Sequence, residues 1–179
     1  MNFIDLVNKR FSCRKFSGKP VEKEKLDLCI EAARLAPSAC NSQPWKFLII
    51  NDPALKEKVC NAAFSGQYSS NSFGKNASVI ILVISEKGTF MSRVGSLVRD
   101  TRYYLIDIGI AVEHFMLQAA ELGLGTCWMG WFNETPLKKI LGLPGSAKID
   151  IIFPLGYPDQ PCREKTRKTI KEISSFNKI

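Results

Sequence analysis

Apolar residues follow two rhythms along this chain, and the rhythms predict its elements. Recurrence every three or four positions predicts amphipathic helix, and an unbroken apolar run bounded by turn residues predicts buried strand. Residues 4–9 form a short helical pattern. In 21–35, Leu26, Cys29, Ile30 and Ala33 share one face and the charges take the other. The run WKFLII at 45–50 predicts a buried strand. Asp52 and Pro53 then supply a cap residue and a proline at the first helical position, for a helix running to about Phe64. Residues 66–76, polar and glycine-containing, are expected to be a loop. The run ASVIILVIS at 77–85 is apolar on both faces, as a central strand must be. Residues 88–96 are expected to be irregular. The longest helix is expected over 97–122, where ~100° per residue lines up Asp107, His114, Gln118 and Glu121 in one polar stripe. Most of the remaining circumference is apolar, so this helix must be covered on several sides. In a domain this small, a second subunit is one source of cover. GTCWMGWF, 125–132, follows as a strand or strand-turn. Thr135-Pro136 opens another helix, and KIDIIFPLGYP at 148–158 is a third clear strand. The expectation is an α+β fold, a central mostly antiparallel sheet flanked by helices, in one domain over 1–179.

Composition narrows the class. A length of 179 residues with 45% hydrophobic content is that of a soluble globular domain. The most apolar run, 77–85, is too short to cross a bilayer. The start of the chain lacks the features of a signal peptide, so a cytoplasmic location is expected, with no membrane partner. The six cysteines (Cys13, Cys29, Cys40, Cys60, Cys127, Cys162) are scattered, and with one histidine, His114, there is little to build a metal site from. They read as reduced thiols, mostly filling the core.

The net charge of +8 is uneven. Cations gather at Lys9, Arg10, Arg14, Lys15 and Lys19 and again at Arg163, Lys165, Arg167, Lys168 and Lys171. Two basic ends fit a nucleic-acid footprint, a convergence on one small anion such as phosphate, or solvated surface.

The recognisable chemistries are missing. There is no phosphate-loop motif, no G-x-G-x-x-G after a strand, and no G-x-S-x-G elbow. That leaves a binding module, or an enzyme whose cofactor carries the reaction. Arg10, Ser12 and Arg14 in RFSCRKF set two forked cations around a hydroxyl, which suits a phosphate or the polar edge of a planar ring. Lys165 and Arg167 alternate so that both point one way in an extended segment. In APSACNSQPWKF, 36–47, Pro37 and Pro44 stiffen a loop carrying Ser38, Asn41 and Gln43, whose mixed donors and acceptors suit a heterocycle or polyol. An elaborate helix cap followed by a turn is the other reading of that loop.

RFSCRKF, APSACNSQPWKF, DIGIAVEHFMLQAAELGLGTCWMGWF, LGYP and KTR, in this order over nearly the whole chain, resemble the nitroreductase family of FMN-dependent oxidoreductases. The resemblance implies roles residue by residue. Arg10, Ser12 and Arg14 match the N-terminal flavin-contacting motif. Pro37, Ser38, Asn41 and Gln43 match the loop that closes over the flavin, typically from the partner subunit. Met129 and Gly130 match the segment near the reactive N5 of the ring, and Lys165 and Arg167 match a C-terminal phosphate clamp. Asn71 corresponds to a flavin-contacting asparagine. No catalytic side chain is implied, because hydride moves through flavin N5. NAD(P)H is the implied co-substrate and nitroaromatics and quinones the acceptors, in a ping-pong reaction on an intertwined homodimer. Two departures stand out: Phe11 replaces a frequent basic residue, and Trp131 a frequent small one. Another FMN reaction on the same fold (reductive dehalogenation or flavin breakdown) and a non-enzymatic FMN sensor are the competing readings. A nucleic-acid module ranks last, because the basic ends lack interleaved aromatics that stack bases.

Overall fold

The computed structural model describes residues 2–86 and 99–178. The irregular stretch expected at 88–96 and the first positions of the helix expected from 97 lie outside these residues.

Each element starts where its local chemistry allows. Helix α1 (Phe3–Lys9) is capped by Asn2, whose Oδ1 accepts the Asp5 N–H. Helix α2 (Lys23–Arg34) buries Leu26, Cys29 and Ala33. Strand β1 (Trp45–Ile50) leads to α3 (Pro53–Ala63), where Asp52 accepts the Leu55 N–H at 2.7 Å and Pro53 opens the first turn. Strand β2 (Val79–Ser85), helix α4 (Tyr103–Glu121), the two-residue β3 (Gly125–Thr126), α5 (Glu134–Ile140), β4 (Lys148–Gly156) and the short α6 (Ile170–Ile173) complete the chain. Thr169 and Glu172 form a reciprocal capping box at α6.

The sheet runs β1-β2-β4-β3 with every strand pair antiparallel. The first six residues of β2, in the centre, are all buried. Successive side chains on a strand point to opposite faces. Val79, Ile81 and Val83 therefore join α2 and α4 in one core, around Ile108, Val112 and Phe115. Ile80, Leu82 and Ile84 join α3 and α5 in another, around Val59 and Leu137. Full burial of such a side chain stabilises by about 1.5–3 kcal/mol. Phe115 is the hinge pin of the first core, stacked on Phe47 at 5.9 Å and edge-on to Phe153 at 5.3 Å.

One expectation needs correction, and two gain detail. Gly66–Asn76 is a run of 3-10 turns rather than a loop. Its three-residue turns satisfy the backbone locally, and Gly74 packs under the Phe64 ring. Of the strand or strand-turn expected at 125–132, the strand part is β3 plus one bridged pair, Met129 with Ile152. The chain is drawn off the sheet because Trp131 Nε1 donates to the Gln67 carbonyl and the Trp131 carbonyl accepts from Asn71. Part of the polar stripe on α4 faces the rest of the chain rather than solvent. Asp107 is buried, and His114 Nδ1 lies 3.2 Å from the Ala32 carbonyl of α2.

Candidate functional site

The two basic ends of the sequence are brought together by backbone pairing. Ser12 lies beside Thr126 in a parallel bridge, and the Cys13 N–H donates to the Thr126 carbonyl at 2.8 Å. Further on, Phe16 bridges Pro158, Ser17 N–H donates to Tyr157, and Asp159 N–H donates to Lys15 at 2.8 Å. The N-terminal segment thus runs along β3 and then along the chain leaving β4. Close packing requires a glycine here: a Cβ on Gly125 would meet Cys13 Cβ at 2.7 Å.

Where these segments diverge they line a cavity of about 350 Å³. Arg10, Arg14, Arg163, Lys165 and Arg167 reach it, with Glu164 as its one carboxylate, and Ser12, Thr166 and Gln160 add polar groups. The cations are partly fixed. Arg10 Nε pairs with Glu113 Oε1 of α4 at 3.4 Å, the Lys165 ammonium donates to the Val7 carbonyl, and Arg167 Nη1 donates to the Thr166 carbonyl at 2.8 Å. Arg14 sits 5.9 Å from the centre of the Phe73 ring. Burial, then the charges of Arg10 and Arg167, push the Lys165 ammonium below the usual lysine range. The clustering of like charges makes this cavity electropositive.

Of the residues singled out in the sequence, Arg10, Ser12, Arg14, Lys165 and Arg167 line this one cavity. Asn71, Met129 and Gly130 form a second group. Asn71 Nδ2 donates to the Trp131 carbonyl at 2.8 Å, Met129 is buried, and Gly130 has open space where a Cβ would stand. Pro37, Ser38, Asn41 and Gln43 form a third, on the loop after α2, and do not line the cavity. There Ser38 Oγ accepts the Gln43 N–H at 2.9 Å, and the Gln43 amide donates to Asn41.

Several residues of the site were not singled out in the sequence. Arg163, Gln160 and Thr166 line the cavity, and the position of Arg163 in the same basic run as Lys165 was the available signal. Tyr68, whose ring centre is 5.0 Å from that of Trp131, had no signal at all. Phe11 also lines the cavity, so its ring stands as an apolar wall among the cations. Cys13, Cys29, Cys60 and Cys127 are buried, and burial pushes Cys29 up to about 12, so these thiols are packing groups rather than nucleophiles. No group of three or more metal-ligating side chains occurs among the described residues, and no helix there is long and apolar enough to cross a membrane.

An antiparallel sheet between two helical layers, with a cation-lined cavity where the ends of the chain meet, defines a fold met elsewhere. The family model described as "Nitroreductase family" matches residues 7–157, and the chain belongs to that family of oxidoreductase enzymes. A provisionally named NADH dehydrogenase/NAD(P)H nitroreductase of Archaeoglobus fulgidus is 29% identical over 159 residues, covering 87% of this chain and 84% of its own. The iodotyrosine deiodinase of Thermotoga neapolitana is 29% identical over 177 residues, covering 88% of this chain and 89% of its own. Among solved structures, an FMN-dependent nitroreductase from Clostridium difficile R20291 aligns over 99% of this chain and 100% of its own, with TM-score 0.78 and 28% identity.

Proposed function

We propose that the protein is an FMN-dependent NAD(P)H oxidoreductase that reduces nitroaromatic, quinone or related acceptors. The observation that carries this reading is the convergence of Arg10, Arg14, Lys165 and Arg167 on one cavity. The donor set fits the group: forked guanidinium donors and an ammonium suit a phosphate, and the Ser12 hydroxyl suits a polyol chain. Lys165 and Arg167 hold the phosphate, Arg10 and Arg14 complete its neutralisation, and Ser12 takes the adjoining hydroxyls. Met129, Gly130 and Asn71 border the ring. FMN, when bound, supplies the hydride chemistry, so no side chain has to act as a nucleophile. The nicotinamide and the acceptor use one pocket in turn.

The loop bearing Pro37, Ser38, Asn41 and Gln43 serves the site of a second copy in a homodimer. Supporting this are exposed apolar side chains on α2 (Leu28, Leu35) and α4 (Leu105, Ile106). At the C-terminal end Ile170, Ile173 and Phe176 are 78%, 70% and 90% exposed. Such residues ask for cover.

The first test is the spectrum of the purified protein after release of any bound group, which should be that of FMN. Initial rates with NAD(P)H and an acceptor should then give parallel reciprocal plots. Intersecting plots refute the shared pocket, and a protein that takes up no flavin refutes the whole reading. Flavin binding should also stabilise the dimer by mass action, seen by sedimentation with and without FMN. The identity to an iodotyrosine deiodinase favours one second reading, reductive dehalogenation on the same site. Faster turnover of iodotyrosine than of nitroaromatics or quinones would select it.

A further inference from the structure

Asp107 is the one buried carboxylate among the described residues, 4% exposed in the second turn of α4. Its Oδ1 accepts the backbone N–H of Ala39 at 3.0 Å. Its Oδ2 has no hydrogen-bond partner among the described residues. A buried carboxyl group with one oxygen unpartnered works against the stability of the core. Against that cost, the hydrogen bond to Ala39 sets order in the loop it holds.

The place to look is the loop it touches. Cys40, Asn41 and Gln43 have φ of 52°, 50° and 44°, a left-handed backbone adopted by three non-glycine residues within four positions. Of these three, only asparagine enters that region readily. The loop is closed on itself by Ser38 Oγ, which accepts the Gln43 N–H, and by the Gln43 amide, which donates to both the Asn41 carbonyl and Oδ1 at 3.1 Å. Among the described residues, Asp107 makes the one hydrogen bond from 37–43 to a residue distant in sequence. A strained loop persists only where its surroundings over-determine it. Beyond the loop's own bonds, that determination comes from one buried acceptor on the longest helix of the described residues.

We propose that Asp107 is a positioning residue: it anchors the strained loop 37–43 to α4 and thereby holds Ser38, Asn41 and Gln43 in the conformation that receives the flavin. The proposal rests on the FMN reading. Asp107 touches no reacting atom and acts through the Ala39 N–H. On the FMN reading the loop serves the flavin away from the phosphate clamp, so the loss of the anchor weakens FMN and riboflavin alike.

The test compares Asp107→Ala, which removes the acceptor, with Asp107→Asn, which keeps an oxygen at the Oδ1 position. Hydrogen exchange of amides 39–43 reads the anchor without any ligand. It should rise in Asp107→Ala and stay near wild type in Asp107→Asn. Flavin titrations should show FMN and riboflavin both weakened about tenfold in Asp107→Ala and restored in Asp107→Asn. A merely structural role would lower the melting temperature of Asp107→Ala and leave the flavin Kd of the folded protein unchanged, which overturns the proposal. Should Asp107→Ala not fold, Ala39→Pro makes the same cut from the loop side. It deletes the donor next to a Ser38 that is already extended (φ −148°, ψ 155°), as a residue before proline must be. Unchanged flavin binding in Ala39→Pro overturns the proposal equally. Wild-type protein that binds no flavin overturns the functional reading, and with it this role. Wild-type protein that binds flavin while Asp107→Ala binds it equally well overturns the positioning role alone.

Discussion

On the proposed reading, Arg167→Ala should separate phosphate recognition from everything else the site does. Arg167 lines the cavity with Arg10 and Lys165, and its visible bond within the chain is to the neighbouring Thr166 carbonyl at 2.8 Å. Its removal therefore costs the fold little, since an exposed side chain that touches only its own neighbour rarely shifts stability by more than about 0.5 kcal/mol. A hydrogen bond to a charged group is worth about 1.5–3 kcal/mol, and about 1.4 kcal/mol is tenfold in affinity, so FMN should bind roughly 10- to 150-fold more weakly. Partial exposure and salt pull the value toward the lower end. Quenching of flavin fluorescence gives Kd for FMN and riboflavin in wild type and variant, at low and high salt. FMN should weaken at least tenfold, with the difference shrinking in salt, while riboflavin, which has no phosphate, stays within about twofold. Turnover at saturating FMN should be unchanged. An equal loss for riboflavin would mean that Arg167 holds the ring or the fold, and the clamp assignment would fall.

Other expectations follow from packing and charge. Gly125→Ala drives a Cβ to 2.7 Å from Cys13 Cβ, an overpacking worth about 1–3 kcal/mol; in a chain of this size that is a melting point lower by about 2–12 °C in calorimetry, and an unchanged midpoint would refute the close approach. Phe115→Ala opens a hole between Phe47 and Phe153 and should cost about 3–5 kcal/mol in denaturant titration at unchanged slope. The Tyr157 hydroxyl, then the Glu22 backbone, Lys25 and Lys19, hold the Glu22 carboxyl down to about 2. Its folded value lies below its ordinary 4.5, so its stabilising effect is present above about 4.5 and lost as pH falls toward 2. Glu22→Gln should flatten the stability profile in that window, and a profile identical to wild type would discount the Tyr157 contact.

What the sequence made legible divides along the line between local and distant causes. Asp52-Pro53 announced α3 because cap and proline act within one turn. The unbroken run at 79–85 announced a central strand because burial on both faces is written in every residue. Gly66–Asn76 misled because 3-10 turns have no apolar period, and what orders them, the docking of Trp131 on Gln67 and Asn71, comes from more than 50 positions away. Asp107 was legible only in part: its period put it on a polar stripe, but the group it serves is the Ala39 amide, 68 positions back. The convergence of Arg10 with Lys165 and Arg167 was expected from the family resemblance. Arg163 and Gln160 joined them because the chain leaving β4 pairs with residues 15–17, which no pattern within either segment encodes.

The way that cavity is assembled has a consequence for how the protein comes into being. Its walls are contributed by residues 10–14 and 160–167, so closing it means bringing together segments separated by almost the whole length of the polypeptide. During synthesis the sheet can zip from β1 through β4 while the N-terminal arm still waits for its counterpart. Contacts of such long sequence separation bear the largest loop-closure entropy and form late. The nascent chain therefore passes through a stage with a built core and no anion pocket, in which cofactor cannot yet assist folding. On the proposed FMN reading, ligand capture is then the closing event of maturation.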